Sequence, residues 1–307
     1  MKSATVAIVG RPSAGKSTLL NTLTGYKVSI TADVPQTTRN KIRGIVTEER
    51  GQLVLIDTPG WHNSRKKFNL RMTGLVSAAL GETDMVLYVS DVLRPAGGEE
   101  EAVAEHLKTF PGPVIAALNK IDVEPNGLED ARCFIQSRLP QAELVPVSAL
   151  TGSGIAELKT LLFARAPEGG ALYPADYYTD QDPEFRVAEI IRGHAIAVSR
   201  EELPHALYVE VADMETSGEA GEDENKTGMA PDGGKPPRLW IRAFIIVESE
   251  SQKGILIGAG GARIKSIRVG AQKELGKIFP YRIQLDLRVK VRPRWRREDA
   301  ILRRLIR

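Results

Sequence analysis

Near the amino terminus an apolar run, TVAIVG at 5–10, passes into GRPSAGKS at 10–17, and a helical pattern opens at about Lys16. The octapeptide satisfies G-x-x-x-x-G-K-[ST] completely, and it lies between a strand pattern and a helix pattern, the context that gives the motif its meaning. Gly10 and Gly15 let the backbone curl so that successive N–H groups point inward at phosphate oxygens. Lys16 adds a point charge for β- and γ-phosphates, and the Ser17 hydroxyl is placed to ligate Mg²⁺. The whole loop, Gly10, Arg11, Pro12, Ser13, Ala14, Gly15, Lys16, Ser17 and Thr18, is therefore read as phosphate-binding. A loop of this kind sits at the carboxyl end of a strand in a mostly parallel sheet, and that constrains the rest of the first half.

The pattern downstream agrees. QLVLID, DMVLYVS, PVIAALN and ELVPVS are further apolar runs of strand length, separated by helical stretches such as EEEAVAEHLKTF and LEDARCFIQSRL. Strand–helix alternation predicts an α/β domain, a mostly parallel sheet with helices on both faces. Its ligands would bind outside the carboxyl ends of the strands. Three motifs fall at such ends. LVLIDTPG closes a strand with Asp57, placed to face a metal through water, followed by Thr58, Pro59 and Gly60, whose N–H would lie near a γ-phosphate. NKID supplies Asn119, Lys120 and Asp122. Guanine presents two adjacent donors that one carboxylate accepts bidentately, and adenine does not, so Asp122 selects guanine while Asn119 turns to the far edge of the base and Lys120 lies over the ring. PVSAL adds Ser148, Ala149 and Leu150, with the Ala149 N–H aimed at the guanine carbonyl. The nucleotide is GTP.

The polar segment VSITADVPQTTRNK carries Thr37 and Thr38, and Thr38 is favoured as a second Mg²⁺ ligand when a γ-phosphate is present. Loops held by such a contact order with the triphosphate and relax after hydrolysis. Many GTPases orient the attacking water with a glutamine just after the DTPG glycine; here that position is Trp61, counted with the phosphate site but unable to polarise water. Slow intrinsic hydrolysis, stimulated by a partner or a cation, follows. No catalytic group is assignable beyond Lys16 and the switch backbone.

After about Ala166 the stretch PEGGALYPADYYTDQDPEF has three prolines and little periodicity, and residues 168–184 read as a linker packed in part through tyrosines. A second, smaller α+β pattern follows over 185–307: helix, strand, strand, helix, glycine turn, helix, strand. In KGILIGAGGARIKSI the turn Gly258, Ala259, Gly260, Gly261 lies between helices, with Lys253, Ile257, Arg263, Ile264 and Lys265 around it. A G-x-x-G turn without bulky side chains lets a nucleic-acid backbone approach, the next helix start favours phosphate, and the spacing is that of a type II KH domain. The segment 213–237 is rich in Gly, Asp and Glu and is expected to be a disordered insert. RIQLDLRVKVRPRWRREDAILRRLIR carries ten Lys/Arg against three Asp/Glu, with Trp295 among the arginines, and reads as an electrostatic footprint for RNA. Anionic lipid is a minor alternative target.

Composition excludes other classes. The single Cys133 forbids an internal disulfide or a thiolate metal cage, the four histidines have no metal-ligand spacing, and no apolar run approaches a membrane span. MKSATVAIVG enters a strand pattern at once, so no signal peptide is expected. A cytoplasmic monomer is anticipated.

A GTP-binding domain followed by one KH domain resembles the Era family of bacterial ribosome-assembly GTPases, through GRPSAGKS, QTTR, DTPG, NKID, SAL, IGAGGARIK and the connector YPADYYTDQDP. The resemblance implies a GTPase that binds the 3′ end of small-subunit rRNA, assists assembly of the small ribosomal subunit, and touches the cytoplasmic membrane surface. Ser13 stands where the family usually has asparagine, whose amide helps ligate potassium in activated relatives, and this weighs against potassium activation. The runner-up is a translational or tRNA-modification GTPase acting on a different RNA. A small-molecule P-loop kinase has no need of NKID, and a pure RNA-binding module has no need of an intact GKS with Asp57.

Overall fold

The computed structural model describes residues 1–32, 37–60, 67–199, 203–217 and 237–305. It divides into two compact units, Met1–Asp180 with Asp299–Arg307, and Gln181–Glu298.

The first unit is built from β1 (Lys2–Val9), α1 (Lys16–Thr24), β2 (Ile42–Glu48), β3 (Gly51–Asp57), α2 (Lys67–Gly81), β4 (Met85–Asp91), α3 (Gly98–Leu107), β5 (Val114–Asn119), α4 (Leu128–Arg138), β6 (Glu143–Val147) and α5 (Ile155–Arg165). The sheet order is β2-β3-β1-β4-β5-β6, parallel except for β2 against β3. β3, β4 and β5 are buried throughout, as strands covered on both faces must be. The order reverses beside β1, so the crevice at its carboxyl end is the place where a nucleotide can enter.

β2 is absent from the apolar runs picked out above because Gly44 interrupts it. That glycine is required by packing: a Cβ there would meet Leu20 Cδ1 and Thr24 Cγ2, both at 2.7 Å, so α1 lies directly on the strand. The edge of β2 is not left bare. The backbone N–H of Ile45 donates to Tyr178 O at 2.9 Å, Thr179 Oγ1 donates to Arg43 O, and Tyr178 stacks on Tyr26 with centroids 4.3 Å apart. Buried Gln52 binds the same segment: its Oε1 accepts from Leu172 and Tyr173 N–H, and its Nε2 donates to Tyr173 O. The segment read as a linker is thus a strap tied to the sheet edge through Tyr178.

The second unit contains α6 (Pro183–Ala197), α7 (Leu203–Ala206), β7 (Tyr208–Ser217), β8 (Arg238–Val247), α8 (Glu250–Ile257), a 3-10 turn at Ala259–Gly261, α9 (Ala262–Leu275), β9 (Arg282–Val291) and a 3-10 turn at Trp295–Arg297. α10 (Asp299–Leu305) belongs to the first unit. β7 pairs antiparallel and β9 parallel with the central β8. One face of this sheet packs Ile241, Ala243, Ile245, Leu285 and Leu287 against Val187, Ile191, Ile267 and Ala271 of the helices.

Three boundaries differ from the sequence reading, the first being that of α10, which groups with the first unit although 185–307 reads as one domain. α6 begins at Pro183, inside the segment assigned to the linker, because Asp182 caps it by accepting from the N–H groups of Glu184 and Phe185, and proline suits the first helical turn. β7 continues to Ser217, so 213–217 is paired strand and not part of a disordered insert: Asp213 lies opposite Arg242 and Glu215 opposite Trp240. Their acidic, polar character reflects a solvated sheet face. Residues 218–236, the rest of that insert, lie outside the described residues.

Candidate guanine-nucleotide and RNA sites

The phosphate loop joins β1 to α1 with Gly10 at φ 150° and Gly15 at φ 95°. A Cβ on Gly10 would fall 2.3 Å from Val89 O, and one on Gly15 would fall 2.3 Å from Asn119 Nδ2. Both glycines are therefore needed for space as well as conformation. Lys16 curls back into the loop and donates to Gly10 O at 3.0 Å and Arg11 O at 2.8 Å. Its burial lowers the ammonium pKa to about 8, an effect only partly opposed by Asp57, Glu100 and Glu99. A desolvated cation inside a ring of backbone amides favours an anion.

Four hydroxyl and carboxyl groups converge beside it. Asp57 Oδ2 accepts from Ser17 Oγ at 2.6 Å, Ser29 Oγ at 3.0 Å and Thr38 Oγ1 at 3.1 Å, while Ser17 and Thr38 are 2.8 Å apart. Burial drives the Asp57 carboxyl upward in pKa, against hydrogen bonds from Ser17, Ser29 and Thr38 and the charge of Lys16. Its Oδ1 is buried with no hydrogen-bond partner among the described residues. An unsatisfied carboxylate oxygen among hydroxyls is suited to a hard, oxygen-seeking divalent cation, directly or through water, and Mg²⁺ fits that donor set. Thr38 is buried in this cluster. Ser29 was missed from sequence, since a lone serine in VSIT carries no spacing signal. It is fixed by Asn21, whose Oδ1 accepts from the N–H groups of Val28 and Ser29 and whose Nδ2 donates to Ser29 O.

The Arg11 side chain does not face the phosphate site. Its guanidinium is buried, donates to the carbonyls of Asp91, Arg94 and Pro95, and pairs with Glu100 (3.1 Å) and Asp91 (3.8 Å). Glu100 in turn accepts from the Tyr88 hydroxyl. Only the Arg11 backbone remains for phosphate. Asp57 is followed by Thr58, whose hydroxyl donates to Ile8 O, and by Gly60, where a Cβ would meet Pro12 at 2.8 Å. The turn after Asp57 is thereby pressed against the phosphate loop. Trp61 lies outside the described residues.

At the base-reading end, Asp122 is exposed and has no hydrogen bond or ion pair among the described residues. Lys120, at φ 76°, donates to Ser13 O and to Asp91. Asn119 ties two loops together: Nδ2 donates to Ala14 O at 2.8 Å, and Oδ1 accepts from the Ala149 N–H at 2.9 Å. The Ala149 amide expected to meet the guanine carbonyl is thus engaged by Asn119. Ser148 is buried, with its hydroxyl accepting from Thr151 N–H, and Leu150 is 80% exposed.

In the second unit the glycine turn is an open, left-handed feature. Gly258, Gly260 and Gly261 have φ of 70°, 57° and 78°, and a Cβ on either of the last two would meet nothing within 4 Å. The space there faces outward, free for a close-approaching backbone. Lys265 is exposed, Lys253 pairs with Glu250, and Arg263 folds back to donate to Ile255 O. Ile264 packs on the core and Ile257 is half-buried outside it. Trp295 is not available to RNA: it is fully buried, meets Tyr208 edge-on at 4.7 Å and donates to Ala206 O. Arg292 and Arg296 pair with Glu298 and Glu248.

Fold and site together define a P-loop GTPase joined to a KH domain. A family model described as a 50S ribosome-binding GTPase matches residues 5–120, and one described as a KH domain matches 225–296. GTPase Era of Treponema denticola is 47% identical over 99% of both chains, and GTPase Era of Borreliella burgdorferi is 41% identical over the whole of both. The solved structure of an Aquifex aeolicus Era variant bound to GDP and aluminium fluoride superposes with a TM-score of 0.87 at 33% identity, covering 99% of each chain. Era bound to MgGDPNP and nucleotides 1506–1542 of 16S ribosomal RNA gives 0.87 at 33% identity over 99% and 98% of the two chains. The chain belongs to the Era family of GTPases. Among the described residues no helix is long and apolar enough to cross a membrane.

Proposed function

We propose that this chain is a GTP-controlled switch that binds small-subunit rRNA near its 3′ end and assists assembly of the small ribosomal subunit. The observation that carries the reading is the presence, in one chain, of a guanine-nucleotide site with a buried cation and an orphaned carboxylate oxygen, and of an open glycine turn between two helices. A relative of 33% identity was solved with 16S rRNA, which supports the choice of RNA. GTP is the substrate and Mg²⁺ the metal, with Ser17 and Thr38 as direct ligands and Asp57 through water. Bound Mg²⁺ would neutralise charge developing on the phosphate oxygens. Lys16 holds the phosphates, Asp122 reads guanine, and Gly258–Gly261 with Lys265 receive the RNA backbone. Slow hydrolysis stimulated by partner or cation, a cytoplasmic location with peripheral contact to anionic membrane, and a monomeric state complete the proposal.

Crosslinking to cellular RNA with and without a non-hydrolysable GTP analogue tests it: enrichment of the 3′ end of small-subunit rRNA in the analogue-bound state is expected, and recovery of tRNA instead overturns the assignment in favour of a tRNA-modification role. Asp122→Asn presents an amide donor and shifts preference from guanine toward xanthine nucleotides; unchanged GTP selectivity would sink the base assignment. Gly260→Asp weakens RNA binding and leaves GTP binding intact.

A further inference from the structure

The face of the second unit's sheet that looks away from its helices has a composition the KH turn does not account for. Outward positions on β8 are Arg238, Trp240, Arg242, Phe244 and Ile246, and on β9 they are Arg282, Gln284, Asp286, Arg288 and Lys290, paired in register. At one end this face is closed by the chain itself, where Trp295 covers Tyr208, which lies opposite buried Ile246. Elsewhere, among the described residues, it is open. Trp240 and Phe244 are half-buried, and cations lie over their rings: the Arg242 guanidinium is 4.8 Å from the Trp240 centroid and Lys290 Nζ is 3.2 Å from the Phe244 centroid. The single carboxylate on these two strands, Asp286, is shared by Arg242 and Arg288, and Asp213 opposite also pairs with Arg242. Arg282 and Lys290 have no carboxylate partner among the described residues, and Arg288 is 66% exposed even in its pair.

The inner face supplies the core, so the fold has no need of two aromatics on the outer one. The acids of this face, Glu210, Asp213 and Glu215, lie on β7 on one side of β8, while Arg282, Arg288 and Lys290 against the single Asp286 make the β9 side basic and complementary to phosphate. Two π faces about 13 Å apart along one strand suit unstacked bases. We infer that the open face of β8 and β9 is a second single-stranded RNA platform, with Trp240 and Phe244 receiving bases and Arg282, Arg288 and Lys290 receiving phosphates. It extends the RNA-binding reading to a surface separate from the glycine turn, and rests on that reading.

The test uses the full-length protein and a fluorescein-labelled single-stranded RNA of mixed sequence, about 20 nucleotides long, titrated across a salt series. On a single strand, each neutralised phosphate adds about 0.7 to the steepness of log K against log salt, so the triple variant Arg282→Gln, Arg288→Gln, Lys290→Gln should flatten the dependence by about 2. Phe244→Leu and Trp240→Leu, which keep side-chain bulk on the sheet, should each weaken binding about fivefold or more, since each removes one base stack. Photo-crosslinks should map to 238–246 and 282–290 as well as to the glycine turn. An unchanged affinity and slope in the triple variant, with crosslinks confined to 253–265, overturns the platform while leaving the KH reading intact; a face that docks protein gives this same result. Undiminished binding in both Gly260→Asp and the sheet variants overturns both sites, and absence of binding by the parent protein overturns the RNA-binding reading itself.

Discussion

Ser13 is an exposed, non-glycine residue held at φ 62°, in the left-handed region that L-residues enter at a cost. Asparagine tolerates that conformation better. Ser13→Asn should therefore raise the stability of the first unit by a few tenths to about 1 kcal/mol in chemical denaturation. It also restores an amide oxygen at the loop, so its hydrolysis rate should become more sensitive than the parent's to KCl against NaCl at matched ionic strength. Equal cation response in both proteins would remove Ser13 from the question. Arg11 makes the opposite point. The motif marks it as a loop member, yet its side chain is a rivet between the loop and buried Glu100, whose carboxyl burial drives upward in pKa. Arg11→Ala leaves that carboxylate unpaired in the interior and should cost about 3–5 kcal/mol of unfolding free energy. No pattern in GRPSAGKS distinguishes an arginine that faces phosphate from one that faces inward. The destination is set by Glu100 and Asp91, far along the chain.

At the level of elements, the parallel strands and their helices were legible because fully buried strands are written as continuous apolar runs. β2 was not, because its glycine is dictated by the helix lying on it, a tertiary fact. The start of α6 was legible in principle, since Asp182-Pro183-Glu184 is a helix-start signal, but the neighbouring prolines and tyrosines made it look like linker. One buried side chain holds the first part of that connector. Gln52 makes three hydrogen bonds to Leu172 and Tyr173, so Gln52→Leu leaves several backbone groups of the strap unsatisfied. A cost of about 2–4 kcal/mol is expected, together with faster limited proteolysis within 168–180, read by mass spectrometry of the fragments.

At the scale of the molecule, each unit has its own core, one under the parallel sheet and one under the three-stranded sheet. Calorimetry should resolve two transitions, and GDP with Mg²⁺ should raise only that of the nucleotide-binding unit, by about 2.7 kcal/mol at a hundredfold excess over Kd. Trp295→Ala should lower the other by about 3–5 kcal/mol, because a fully buried indole and its bond to Ala206 are removed. A single transition moved by both perturbations would mean that the units unfold together. The tryptophan's place among arginines had suggested a wet, nucleic-acid-facing residue; charge runs in sequence do not record which one of their members turns inward.

Asn119 gives the nucleotide site a property that its separate motifs do not state. One amide holds the Ala14 carbonyl with one end and the Ala149 N–H with the other, so the wall that cradles phosphate and the wall beside the base are a single mechanical body. Neither inorganic phosphate nor guanosine alone can draw on that shared rigidity. The intact nucleotide spans both walls, and its affinity should exceed what the two fragments suggest when added.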